Sequence, residues 1–204
     1  MQKRWEFIEY DVNEATELQQ ALKIHPLFCQ LLVQRGIRNF DEAKQFFRPQ
    51  LSQLHDPFLM KGMEIAVQRI AEAIIKKEKI LVYGDYDVDG TSAVALVYSF
   101  LADYHQNLNY YIPDREKEGY GISIKSIEYA SQNNFSLVIA LDCGTKAHEA
   151  IDFANEKGID FIVCDHHLPD MAMPNAFAIL NPKQADCDYP YKELSGCAIG
   201  FKLV

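Results

Sequence analysis

Seven acid and imidazole side chains stand out by type and spacing: Asp85, Asp87 and Asp89 in "LVYGDYDVDGT" (81–91), Asp142 in "LVIALDCGT" (137–145), and Asp165-His166-His167 in "IVCDHHLP" (162–169). Each group follows an apolar run directly. Carboxylates at alternate positions repel one another, and unneutralised they would force a proton onto one acid or open the site. One or two divalent cations remove that cost. A helix N-terminus enriched in acids is the plainer account of any one aspartate, and a lone Asp142 after a buried strand is commonly only a helix cap. The adjacent histidines supply imidazole ligands, and Asp165 supplies a carboxylate to orient them. Several carboxylates with imidazole and no thiolate suit Mn²⁺ or Mg²⁺ better than structural Zn²⁺. Two such ions held about 3.5–4 Å apart would acidify a shared water and align it with phosphorus. The chemistry implied is phosphoester hydrolysis.

These groups need elements to bring them together. Apolar runs at 80–84, 108–112, 137–141, 161–164 and 176–180 read as strands. Between the first four lie helical stretches at 91–103, with Gly90 permitting a turn and Thr91 as cap, at 123–133 behind Ser123, and at 146–157 between Thr145 and Gly158. Alternation of helices with unbroken apolar strands predicts an α/β fold, a mostly parallel sheet with helices on both faces. Ligands of such sheets sit at the carboxyl ends of the strands, near a switch in strand order. Three strands thus deliver acids or histidines to one edge. Ahead of the sheet the chain reads as helical: a segment from an Asn13 cap to about Lys23, a second from Pro26 to Gly36, a third capped by Asn39 and stopped by Pro49, and an amphipathic helix at 63–77. The expected division is therefore an N-terminal helical region at 1–77 and an α/β domain at 78–204.

Bulk properties set outer bounds. The 204 residues are 49% hydrophobic and 24% charged, which suits a soluble globular chain of one sizeable domain plus an appendage. No apolar run approaches the roughly 20 residues needed to span a bilayer, and the first residues lack a signal-peptide core, so a cytoplasmic protein is expected. Five scattered cysteines without C-x-x-C spacing fit reduced thiols, with Cys143 and Cys164 as small buried residues. The net charge of −9 argues weakly against a nucleic-acid coat protein and leaves a nucleic-acid enzyme open.

"DYDVDG" (85–90), "LDCG" (141–144) and "DHH" (165–167), in this order on consecutive strand ends, resemble three motifs of the DHH phosphoesterase superfamily. Further resemblance at "RGI", "LHDPF", "YIPDREKEGYGI", "LNPK" and "LSGCAIGFKL" extends over nearly the whole chain and is similar to the RecJ family of single-strand-specific 5′→3′ DNA exonucleases. The resemblance implies Asp87, Asp89, Asp142 and His166 as metal ligands, with Asp142 bridging two Mn²⁺ or Mg²⁺ ions. It implies His167 facing the scissile phosphate, Asp165 orienting the histidines, and Asp85 as an outer acid or a further ligand. Arg115, with Gly119 and Gly121 allowing close approach, is the candidate contact to a DNA phosphate, since guanidinium suits bidentate phosphate binding. The substrate implied is single-stranded DNA, with a role in repair and recombination, no membrane partner and no indicated protein partner.

Two departures bear on this reading. Many members carry a metal-binding histidine where this chain has Tyr83, so one ion is expected to be held more weakly, or completed by Asp85 or water. A fourth, downstream metal-binding aspartate and the later domains of the family lie beyond "FKLV", so the chain is expected to be a fragment, weakly active or inactive alone. The alternatives are another superfamily phosphodiesterase acting on short oligonucleotides or cyclic dinucleotides, a receiver-like signalling module, and a scaffold that has lost its metal site. The first two have no need of the helical preface, a receiver has no His-His pair, and the intact acids disfavour the scaffold.

Overall fold

The computed structural model describes residue 4 and residues 6–204. Contacts divide the chain into two compact units, one ending at Leu54 and the other spanning His55–Val204. The first unit holds three helices: α1 (Val12–Leu22), α2 (Pro26–Gln34) and α3 (Phe40–Phe47). They bury Ala15, Leu18, Cys29, Leu32, Val33 and Ala43 together. The cap of α1 is Asp11, not Asn13: its carboxylate accepts from the amides of Asn13 (2.8 Å) and Glu14 (3.1 Å), which places Asn13 inside the first turn. Asn39 caps α3 as its sequence position implies, accepting from the amide of Glu42.

The second unit begins with α4 (Met63–Lys76). Its apolar stripe (Met63, Ala66, Ile70 and Ala73) packs into the same core as the first strand of the sheet. By contacts, the compact unit that holds the sheet starts at His55 and so takes in α4, ahead of 77/78, where the sequence texture changes. An amphipathic helix looks alike in sequence whichever neighbour covers its stripe.

Five parallel strands follow: β1 (Ile80–Gly84), β2 (Leu108–Tyr111), β3 (Leu137–Leu141), β4 (Asp160–Cys164) and β5 (Ala178–Leu180), in spatial order β2-β1-β3-β4-β5. Side chains alternate across this sheet, as strand geometry requires. Ile80, Val82, Leu137, Ile139, Leu141, Ile162 and Cys164 share one core with α4, α5 (Val88–Ala102) and α8 (Gly196–Leu203). Leu81, Tyr83, Val138, Ala140, Phe161 and Val163 face the opposite core, with α6 (Ile124–Gln132) and α7 (His148–Glu156). Both faces are covered, which is why the central strands are apolar without interruption.

Two local expectations need correction. Helix α5 starts at Val88, three residues before Thr91, because the Asp87 carboxylate caps it by accepting the amide of Gly90 at 2.9 Å. Gly90 therefore sits in the first helical turn, and its missing Cβ is what lets that turn lie on the backbone of Asp85. Helix α7 starts at His148, two residues after the expected position. Among the described residues, no helix is long and apolar enough to cross a membrane.

Candidate metal centre

The strand order reverses between β1 and β3, since β2 lies on the far side of β1. Chains leaving neighbouring strands at such a point diverge and open a crevice at the carboxyl edge. Asp85 follows β1, Asp142 follows β3 and Asp165 follows β4. The three sequence groups therefore meet at one edge.

Asp142 stands at the middle of this meeting. Its ligand-capable oxygens belong to two sets of donors, Asp142-His166-His167 and Asp85-Asp87-Asp142, each set lying within 4.8 Å. The residue is 2% exposed and has a left-handed φ of 60°, a conformation non-glycine residues seldom adopt and one that gathers at functional sites. Its Oδ1 is buried without a hydrogen bond; His166 Nε2 lies 3.2 Å away, but not in hydrogen-bonding geometry. Burial, followed by the charges of Asp89, Asp87 and Asp165, pushes the carboxyl up to about 8. Asp85 is also 2% exposed and has an unpartnered Oδ1. Burial raises its pKa first, with the charge of Asp87 adding to the rise. Two buried carboxylates with idle oxygens amount to a large desolvation cost that the chain's own donors leave uncompensated.

Asp89 is held differently. Its two oxygens accept the backbone amides of Gly196 (2.7 Å) and Cys197 (2.8 Å) in the first turn of α8. It lies outside both donor sets, although its Oδ2 is 3.7 Å from His166 Nε2. Gly196 is required in this contact, because a Cβ there would run into the Asp142 carboxylate.

Asp165 differs from its neighbours in being fully engaged. Its Oδ2 accepts the amide of Thr145 (2.9 Å), and its Oδ1 accepts the amides of His166 (2.7 Å) and His167 (3.2 Å) and faces His167 Nδ1 at 2.7 Å. Burial pushes this carboxyl up, but the hydrogen bonds from Thr145 and then His167 outweigh it and leave it below the usual range. With Nδ1–H donated to Asp165, the His167 ring presents Nε2 as its acceptor. Asn181 secures the turn from beneath, donating to Thr145 Oγ1 (3.0 Å) and to the His167 carbonyl (2.9 Å).

The donor chemistry fits a hard divalent cation. Carboxylates and imidazole converge, while Cys143 and Cys164 are fully buried and burial pushes both thiols up, away from the thiolate that metal binding requires. Residues 79–204 match the DHH family, N-terminal domain.

The chain belongs to the DHH family. It is 40% identical to the single-stranded-DNA-specific exonuclease RecJ of Bacillus subtilis over 200 residues, 98% of this chain and 25% of that protein. The RecJ of Escherichia coli is 33% identical over 195 residues, 95% of this chain and 33% of its own length. Among solved structures, RecJ in complex with Mn²⁺ from Thermus thermophilus superimposes with a TM-score of 0.72 at 25% identity, covering 95% of this chain and 26% of that one. The chain thus spans between a quarter and a third of the length of these curated relatives.

In this member of the DHH family, Tyr83 is 1% exposed and its hydroxyl donates to the Gly121 carbonyl at 2.7 Å. Arg115 is exposed on the loop after β2; it makes no ion pair among the described residues and stacks over the Tyr86 ring at 5.3 Å. Glu118, one of its acidic neighbours in sequence, is turned inward to Tyr111 and Ser123. Gly119 and Gly121 have φ of 79° and 85° with open space around both. Their glycine requirement is therefore one of backbone conformation rather than close approach. Between them stands Tyr120, which the sequence reading passed over; its hydroxyl lies 3.2 Å from His167 Nε2. An aromatic residue between two glycines was the available signal. Asn181 in "LNPK" and Gly196 in "LSGC" were likewise missed, because neither type announces a contact to a site.

Proposed function

We propose that this chain carries the metal-binding part of an exonuclease that hydrolyses phosphodiester bonds in single-stranded DNA from the 5′ end, in DNA repair and recombination. The observation that carries the reading is the sharing of Asp142 between two donor sets, the arrangement a two-ion site needs. When bound, Mn²⁺ or Mg²⁺ would acidify an attacking water and offset charge on the phosphate oxygens. Asp85, Asp87, Asp142 and His166 are the residues to hold the cations, with Asp89 joining through the oxygen nearest His166. Asp165 fixes the tautomer of His167, so that Nε2 faces the scissile group as acceptor or, once protonated, as donor. Tyr120 shares that nitrogen and shields one side of it from water.

A cleft of about 710 Å³ adjoins His167, lined among others by Tyr120, Ile122, Lys146, Leu168 and Lys183. Its mix of apolar walls and lysine cations matches a nucleotide, which has one flat apolar face and one anionic group. Tyr86, Tyr120 and Arg115 on the neighbouring rim offer stacking surfaces and one guanidinium for the strand.

The test uses the natural full-length polypeptide that carries this chain. Mn²⁺-dependent release of mononucleotides is followed from single strands labelled at either end, with Asp87→Ala and His166→Ala beside the wild type. Rapid release of a 5′ label, lost in both variants, is the expected result. Wild-type rates in the variants would remove the metal reading, and equal degradation of duplex DNA would remove the single-strand one. Preference for dinucleotides or cyclic dinucleotides would move the chain to a different DHH activity.

A further inference from the structure

We propose that Tyr83 is a positioning residue: by holding the Gly121 carbonyl it sets Tyr120 against His167 and fixes the loop that grips the substrate strand. This rests on the exonuclease reading above and assigns a role to a side chain that stands where the resemblance would place a metal-binding histidine.

Tyr83 lies on β1, two residues before Asp85, and is packed in the core that α6 and α7 cover. The ring is buried and stacked on Tyr111 of β2, with centroids 5.7 Å apart and planes 11° from parallel. The hydroxyl has one partner on the loop, the Gly121 carbonyl at 2.7 Å. A buried hydroxyl donating to a backbone carbonyl fixes that carbonyl's direction, because releasing it would strand both groups. Tyr111 extends the same anchor by donating to Glu118 Oε2 at 2.9 Å, and Glu118 in turn accepts from Ser123 and the Asp114 amide.

The loop from Ile112 is tied as far as Glu118 by its own turn, in which Asp114 accepts the amides of Glu116 and Lys117; the glycine pair beyond it has fewer ties. Gly119 and Gly121 both occupy left-handed backbone with no atoms near where a Cβ would lie, so packing alone does not set their torsions. Tyr120 between them is exposed and meets its neighbours at ring edges, His167 at 5.9 Å and Tyr86 at 6.4 Å between centroids. Among the described residues, the one hydrogen bond from the sheet to this glycine pair comes from Tyr83. The bond therefore converts a flexible hinge into a fixed platform whose far end bears Arg115, set over the Tyr86 ring of the β1–α5 connection.

The test is Tyr83→Phe in the full-length polypeptide, which removes the hydroxyl and keeps the stacked ring. The expected result is a KM for single-stranded DNA raised about fivefold, the worth of one neutral hydrogen bond, with the midpoint of Mn²⁺ activation unchanged. Amide exchange should quicken at Gly121 and Ile122 while β1 and β3 stay protected, and the His167 ring resonances should shift. An unchanged KM with unchanged exchange would overturn the proposal, as would a displaced Mn²⁺ midpoint, which would make Tyr83 part of metal binding. Faster exchange throughout β1 would also overturn it, by reducing Tyr83 to packing. A wild-type protein without nuclease activity would sink the exonuclease reading instead, and the exchange and resonance measurements would still decide for or against the tether.

Discussion

The two edges of one sheet treat buried charge in opposite ways. At the amino-terminal edge, Arg69 of α4 is 7% exposed and pairs at 2.7 Å with both Glu78 and Asp160, while Ser136 donates to the same Glu78 at 2.6 Å. Burial pushes the Glu78 carboxyl up, but Ser136 and Arg69 more than reverse this and leave it lowered. At the carboxyl edge, Asp85 and Asp142 are more deeply buried than those acids, yet each has an idle oxygen and a raised pKa. A chain able to supply Arg69 to one edge could have supplied a cation to the other. Buried carboxylates left uncompensated by the chain's own groups are what the proposed cation site requires.

The contrast breaks most visibly at Asp142. Asp142→Asn should lower Mn²⁺-dependent hydrolysis about a thousandfold or more, the several kcal/mol of charge stabilisation that a cation supplies. The same variant should melt at a higher temperature than the wild type in chelator, because folding no longer has to put a proton on a buried carboxylate. Paired rate and melting measurements check both halves, and a variant less stable in chelator would mean that Asp142 is compensated after all. At the opposite edge, Arg69→Met should destabilise by about 3 kcal/mol. That value is at the low end for a broken buried pair because the Asp160 carboxylate is 38% exposed. Urea midpoints would measure it, with Mn²⁺ affinity unchanged in the folded fraction. Gly196→Ala should act between these extremes, weakening Mn²⁺ binding about 10- to 100-fold, as loss of support around a ligand does. Its cause would be displacement of Asp142, visible in a Mn²⁺ titration and absent from Gly158→Ala, where the space is open.

How much of this was legible in the sequence follows the same division. The strands at 80–84 and 137–141 could be read because both faces are buried and nothing interrupts the apolar run. The convergence of Asp85, Asp142 and Asp165 could be read because each acid follows its strand without a spacer, and parallel strands end together. Helix α8 could not, because Gly196 and Gly200 read as helix breakers. They are there for tertiary reasons: a Cβ on Gly196 would strike Asp142, and one on Gly200 would press within 3.2 Å of Val97. The pairing of Arg69 with residues 9 and 91 positions away left no local trace either. Asp87 was singled out for metal, but its second role as cap of α5 was hidden by Thr91, an equally good capping type a few residues too late.

The dependence on pH sharpens the comparison most finely. The folded Asp142 carboxyl titrates near 8, against an ordinary value of about 3.9 for an aspartate in the unfolded chain. Between those values the folded state holds a proton that the unfolded state has released, so stability must fall as pH rises and level off above about 8. Asp85, also raised, acts with the same sign. Glu78 and Asp165 are lowered, and their contribution is lost only in acid, as pH falls through their folded values. The metal-free protein should therefore be most stable in mild acid and weaken steadily toward pH 8, by a slope that Asp142→Asn flattens. Cation binding requires the ionised carboxylate and so removes the same slope, which makes the rise in melting temperature on adding Mn²⁺ larger at pH 8 than at pH 6. Melting curves in chelator and in Mn²⁺ at the two pH values decide the matter. A metal-free protein whose stability is flat from pH 6 to 8 would show that the carboxyl edge is as well neutralised as the edge that Arg69 closes.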